Sequence, residues 1–123
     1  MEREVTVEGG ASVLVLHGEF DAGNQDLAAR VQEAVRAGNG CAVVDMVDAT
    51  FADSSVVRAL VSGWDLATEM GGWLRVAYTH YLIGRVIEIC GLQELLPQYS
   101  SVQSALQGHV HSVSPSASAD RGR

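Results

Sequence analysis

The chain has 123 residues, enough for one domain and too few for two independent cores. Hydrophobic residues make up 47% and charged ones 19%, a balance that folds as a globule, and thirteen glycines against two prolines exclude a fibrous or proline-rich character. Eight cations, all arginine, face fifteen acidic residues for a net charge of −7. The absence of lysine excludes a phosphate-loop lysine, a Schiff-base lysine and a lysine-dependent kinase site. Nor does an acidic domain suit direct nucleic-acid binding, which works by neutralising phosphates. The expected partner is a protein with a basic surface.

Two cysteines, Cys41 and Cys90, make no disulfide framework, and the N-terminus does not read as a signal peptide. Apolar runs such as residues 13–16 are far too short to span a bilayer. The expectation is a cytoplasmic protein without membrane insertion.

In chain order, Val5-Thr6-Val7 and Ser12-Val13-Leu14-Val15-Leu16 are strand-like and joined by Gly9-Gly10, a hairpin signal. Gly18-Glu19-Phe20-Asp21 reads as a turn. From Asn24 the period changes: Leu27, Val31, Ala34 and Val35 recur at helical spacing until Gly38 and Gly40. Cys41-Ala42-Val43-Val44-Asp45-Met46 has the apolar, β-branched character of a strand buried on both faces. A loop over residues 47–53 leads to a second helix, with Val57, Leu60, Val61, Trp64 and Ala67 on one face and Gly71-Gly72 after it. Residues 73–78 read as a strand, and residues 80–90 as a third helix that buries Ile83, Val86, Ile87 and Cys90 and stops at Gly91. A short strand within 95–99 and a short helix over 101–107 complete the pattern. Residues 108–123 lack any apolar period and read as a disordered tail.

The order β-β-α-β-α-β-α-β-α predicts a single α/β domain over residues 3–107. Its mixed sheet of about five strands is mostly parallel beyond the opening hairpin, with helices packed against it. Functional residues in such sheets gather beyond the carboxyl ends of the strands. That rule selects two loops, residues 18–24 and 47–55.

The second loop ends in Asp53-Ser54-Ser55, where Asp53 or Ser54 is placed to cap the helix that follows. A phosphate on a serine there places roughly −1.5 to −2 charges beside a helix N-terminus, which tolerates anions. The fold survives and the surface changes, so the modification acts as a binding switch. Taken as a plain cap, Ser54 contributes about 0.5–2 kcal/mol and no regulation.

These residues resemble the STAS domain of bacterial anti-sigma factor antagonists. Asp53-Ser54-Ser55 opens a helix after Phe51 and an Asp-bearing strand. Gly18-Glu19-Phe20-Asp21 is similar to the family's Gly-Glu-Leu-Asp turn, Gly71-Gly72 to its glycine pair, and Cys90-Gly91-Leu92 to its small-Gly-Leu helix ending. Ser101-Val102-Gln103-Ser104-Ala105-Leu106 is similar to its last helix. The resemblance implies a phosphorylation-controlled partner switch. In that family the unphosphorylated protein binds an anti-sigma factor that is also a serine kinase, and a sigma factor is freed. Phosphorylation of the first serine, here Ser54, dissolves the complex, and a phosphatase resets it. Ser54 is then a substrate residue, and no catalytic residue, metal or cofactor is implied. The implied partner-facing residues are Asp21, Asp53, Ser54, Ser55, Val56 and Arg58.

The chain departs from the family where Gly-Leu-Gly usually follows the serine pair; here stand Val56-Val57-Arg58. That departure is the argument for an alternative, a STAS scaffold or transporter-accessory domain with no phosphorylation cycle. Arg58 lies one turn into the helix, with Ser54, Asp53 and Asp65 as candidate partners. Other chemistries fit poorly. A nucleophile elbow needs glycines where Ala52 and Val56 stand. A phospho-accepting aspartate among Asp45, Asp48 and Asp53 lacks its lysine. His109 and His111 have no carboxylate or thiol beside them to complete a metal site. Cys41 and Cys90 read as buried thiols behaving as small hydrophobes.

Overall fold

The computed structural model describes residues 4–8, 10–16, 18–20, 27–52 and 54–108, with residues 4–8, 18–20, 51 and 52 described as backbone. Seven strands and four helices lie among them, in the order β1 (Glu4–Glu8), β2 (Ala11–Val15), β3 (Gly18–Phe20), α1 (Leu27–Ala37), β4 (Cys41–Met46), β5 (Ala49–Ala52), α2 (Ser54–Glu69), β6 (Trp73–Tyr78), α3 (Tyr81–Ile89), β7 (Gln98–Tyr99) and α4 (Val102–Gln107). The main sheet runs β1-β2-β4-β6-β7. Only β1 and β2 pair antiparallel, through a turn at Gly10; the remaining neighbours are parallel. This is the mixed α/β sheet that the element order predicts. The expected tail lies outside the described residues from position 109 onward.

Alternation along the strands divides the core in two. Leu14, Leu16, Ala42, Val44, Met46, Leu74, Val76 and Tyr78 face α1, α2 and α3, which contribute Val31, Val35, Val57, Leu60, Ile83 and Ile87 among others. Val13, Val43 and Ala77 face the opposite side, where Ala105 of α4 packs with Tyr99. Arg75 ties that second layer down: its guanidinium lies 3.9 Å from the centre of the Trp73 ring, and Nη1 donates to the Ala105 carbonyl at 2.8 Å.

Four expectations change. The segment read as a turn at Gly18 is β3, and the segment read as a loop from residue 47 contains β5; they pair parallel in a sheet of their own. Both are short, and each finds its partner about thirty residues away, so neither shows a local period. Cys90, expected in the core, is exposed. It caps α3 after the last turn, and Gly91 at φ 75° then carries the chain off the buried face. Cys41, expected buried as well, is half-buried.

The family-like glycine pair has a physical cause. Gly71 ends the second helix at φ 80°, and a Cβ on Gly72 would stand 2.1 Å from the Gly40 carbonyl oxygen, which already accepts the Trp73 amide at 2.9 Å. The contact joins the turns before β4 and β6 at the edge opposite the serine pair.

Burial at the end of β6 pushes the Tyr78 phenol above its ordinary value of 10. An acid whose folded-state pKa is raised contributes stability below its unfolded value and loses it as pH climbs through the folded one. Thermal melts from pH 8 to 11 should therefore show Tyr78→Phe falling less steeply above about pH 10 than wild type. Parallel curves would mean that the phenol stays solvated.

Candidate functional site: the edge where the second helix begins

The carboxyl edge of the sheet is fixed by short polar contacts. After Met46 the chain turns at Val47 and Asp48, where the Val47 amide donates to Asp45 Oδ1 at 3.0 Å. Thr79 Oγ1, just past β6, donates to the Val47 carbonyl at 3.4 Å, and Gln98 Nε2 donates to the Tyr78 carbonyl at 2.9 Å. The turn delivers the chain into β5, which leads to Ser54, the first residue of α2. Asp53, just before it, and Asp21 lie outside the described residues.

From Ser54 the helical period sorts the candidate residues. Ser54 and Arg58 are exposed, four residues apart on one face, and Ser55 is half-buried. Val56 and Val57 are each 1% exposed and belong to the main core with Leu60. Val56 was expected at the partner surface; its side chain instead points into the packing beneath the helix start. Asp65 is exposed but seven residues beyond Arg58, about 10 Å along the axis, so the two are not helical neighbours. The first turn of α2 contains no acidic residue.

Helix α3 packs against β5 and α2 and extends this edge. Its cap is His80, whose Nδ1 accepts the Leu82 amide at 3.2 Å and whose ring stacks on Tyr81 at 5.3 Å. Tyr81 and Ile89 are both 73% exposed, with Leu82 partly exposed beside them. The sequence reading followed the buried face of this helix and passed over these residues. Their signal was available, since Tyr81 and Ile89 are apolar residues out of phase with Ile83 and Ile87.

Among the described residues, the edge offers an exposed hydroxyl and little else that reacts. His80, the histidine among the described residues, is engaged as a cap, which leaves Ser54 without a described imidazole to act as its base. Among the described residues no three His, Cys, Asp or Glu side chains group to hold a metal ion, and no helix is long and apolar enough to cross a membrane.

A sequence model described as the STAS domain matches residues 2–105. An anti-sigma factor antagonist from Mycobacterium paratuberculosis superposes with a TM-score of 0.75 at 22% identity, over 87% of this chain and 92% of that one. A STAS domain protein from Planctomyces limnophilus gives 0.75 at 22%, over 87% and 97%. The Bacillus cell fate determinant SpoIIAA in its phosphorylated form gives 0.64 at 16%, over 87% and 98%. At these identities the likeness is one of fold. Among curated proteins none matches.

Proposed function

The chain belongs to the STAS domain family, and from that premise we propose that it is an anti-sigma factor antagonist switched by phosphorylation of Ser54. The observation that carries this reading is an exposed serine opening α2 at the carboxyl edge of the sheet, in the first serine position of Asp53-Ser54-Ser55. The hydroxyl is open to a docked enzyme, and the helix behind it is rigidly seated through Val56, Val57 and Leu60.

In the unphosphorylated state this edge binds an anti-sigma factor with serine kinase activity, which releases a sigma factor. Asp21, Asp53, Ser54, Ser55 and Arg58 face that partner; Val56 supports them from below. Ser54 Oγ then attacks the γ-phosphorus of ATP held by the kinase. The new Oγ–P bond forms as the bond to the β-phosphate oxygen breaks, ADP leaves, and the hydroxyl proton passes to a base on the kinase. The dianion repels the surface that had packed on a neutral hydroxyl, and a phosphatase restores the serine by hydrolysis. Ser54 is a substrate and the domain itself catalyses nothing. The cycle runs in the cytoplasm, where ATP and the transcription machinery are found.

The burial of Val56 favours this reading over a scaffold without a cycle. Val56, which stands at the first of the two family glycines, adds no side chain to the surface, so at that position the docking face stays open. Phosphosite mapping of the protein isolated from its own cells tests the proposal. Phosphate is expected on Ser54 in wild type and nowhere on the Ser54→Ala variant. A chain never phosphorylated at Ser54 under any growth condition would sink the switch and leave the scaffold.

A further inference from the structure

We propose that Arg58 is an intramolecular clamp for the phosphate on Ser54, so that phosphorylation withdraws a cation from the surface as it adds an anion. The inference rests on the reading of Ser54 as the phosphorylated residue. Ser54 and Arg58 are both exposed, and α2 is helical from Ser54 onward. At a separation of four on a helix, Cβ atoms lie about 5–6 Å apart. Direction helps as well: a helical side chain leans toward the N-terminus and covers the turn before its own Cα. The arginine stem therefore reaches back over the turn that holds Ser54. Its planar guanidinium presents paired N–H donors that match two phosphate oxygens.

Competition at that spacing is absent from the sequence. The positions three and four residues either side of Arg58 are Ser54, Ser55, Val61 and Ser62, none of them a carboxylate. The first turn of α2 adds no acid to repel the phosphate. Arg58 also stands where the family pattern places its second glycine, so the clamp is a property of this chain's departure from that pattern.

The consequence is a switch with two moving charges. Before phosphorylation, the docking face shows a neutral hydroxyl and an exposed guanidinium, which suits a partner carboxylate. Afterwards the guanidinium turns to the phosphate in its own helix. The partner loses its counter-charge and meets a dianion in the same event.

The test uses the full chain with phosphoserine genetically encoded at position 54, so no kinase is required. Its outcome is therefore separate from whether cells phosphorylate Ser54, which the phosphosite mapping decides. The ³¹P chemical shift follows the second ionisation of the phosphate, ordinarily near about pH 6. Arg58→Gln is expected to raise that midpoint by about 0.3–0.5 unit, the scale of an exposed ion pair. Arg36→Gln, which removes an exposed arginine from the last turn of α1, should move it by less than about 0.1. An unchanged midpoint in Arg58→Gln overturns the clamp. So does an equal shift in Arg36→Gln, because net charge alone would then explain it.

Discussion

Val56→Gly, which restores the residue usual at this point of the family pattern, is expected to destabilise the domain by about 2–4 kcal/mol. Three effects add. The side chain is 1% exposed, so its removal forfeits close to the full burial of a valine, about 1.5–2 kcal/mol. The space it leaves lies between α2 and the sheet, where neighbours seated on regular elements relax little, and the residual cavity costs more. Glycine inside a helix then loses a few tenths of a kcal/mol relative to valine. Urea unfolding of wild type, Val56→Ala and Val56→Gly should give a graded series. A glycine variant within about 0.5 kcal/mol of wild type would show that the side chain is not packed as described. The same variant, assayed well below its melting point, should still bind what wild type binds. That outcome separates support of the surface from membership in it.

Legibility from sequence followed the range of the interactions. Strands β4 and β6 match their predicted bounds because each is a mainly apolar run that starts directly after a glycine turn. The third helix is readable at both ends, since His80 caps one and Gly91 stops the other. The β3–β5 sheet was illegible, because its hydrogen bonds join two short segments that each look like a turn when read alone. The face of α2 was half legible. Periodicity picks Val57, Leu60 and Ala67, all buried, but also Val61 and Trp64, which are half-buried. The true buried stripe is rotated toward Val56, Ala59 and Gly63. A helix packed on both a sheet and a neighbouring helix buries a wider arc than one line of large residues marks. Gly63 shows the second contact: a Cβ there would stand 2.3 Å from Val31 Cγ1, so the absence of a side chain is what lets α1 and α2 approach. The candidate site shares this limit. Ser54 was found through its motif, while the inward turn of Val56 depends on the rotation of the whole helix.

Ser54→Glu is expected to weaken capture of the anti-sigma kinase by about 100-fold or more, and Ser54→Ala to leave it within about threefold. The asymmetry follows from where the helix starts. Because Ser54 is exposed and is the first residue of α2, alanine at 54 removes a solvated hydroxyl and keeps a good helix former at the helix start. Stability should change by under about 0.5 kcal/mol, as for other exposed substitutions. Any loss of binding in the alanine variant would therefore come from the interface and not from the fold. Glutamate tests the charge. Placed at the helix N-terminus it is tolerated by the domain, even slightly favoured, so the folded state persists. Docked against a partner, the same carboxylate must shed water and draws Arg58 away from the partner, a cost of about 2–5 kcal/mol at a desolvated contact. The measurement is the Kd of each purified variant for the anti-sigma kinase, with circular dichroism to certify the fold. Equal affinities for alanine and glutamate would mean that Ser54 lies outside the contact. A loss in both would mean that the hydroxyl itself is bound, and that neutral serine is a recognised group as well as an acceptor of phosphate.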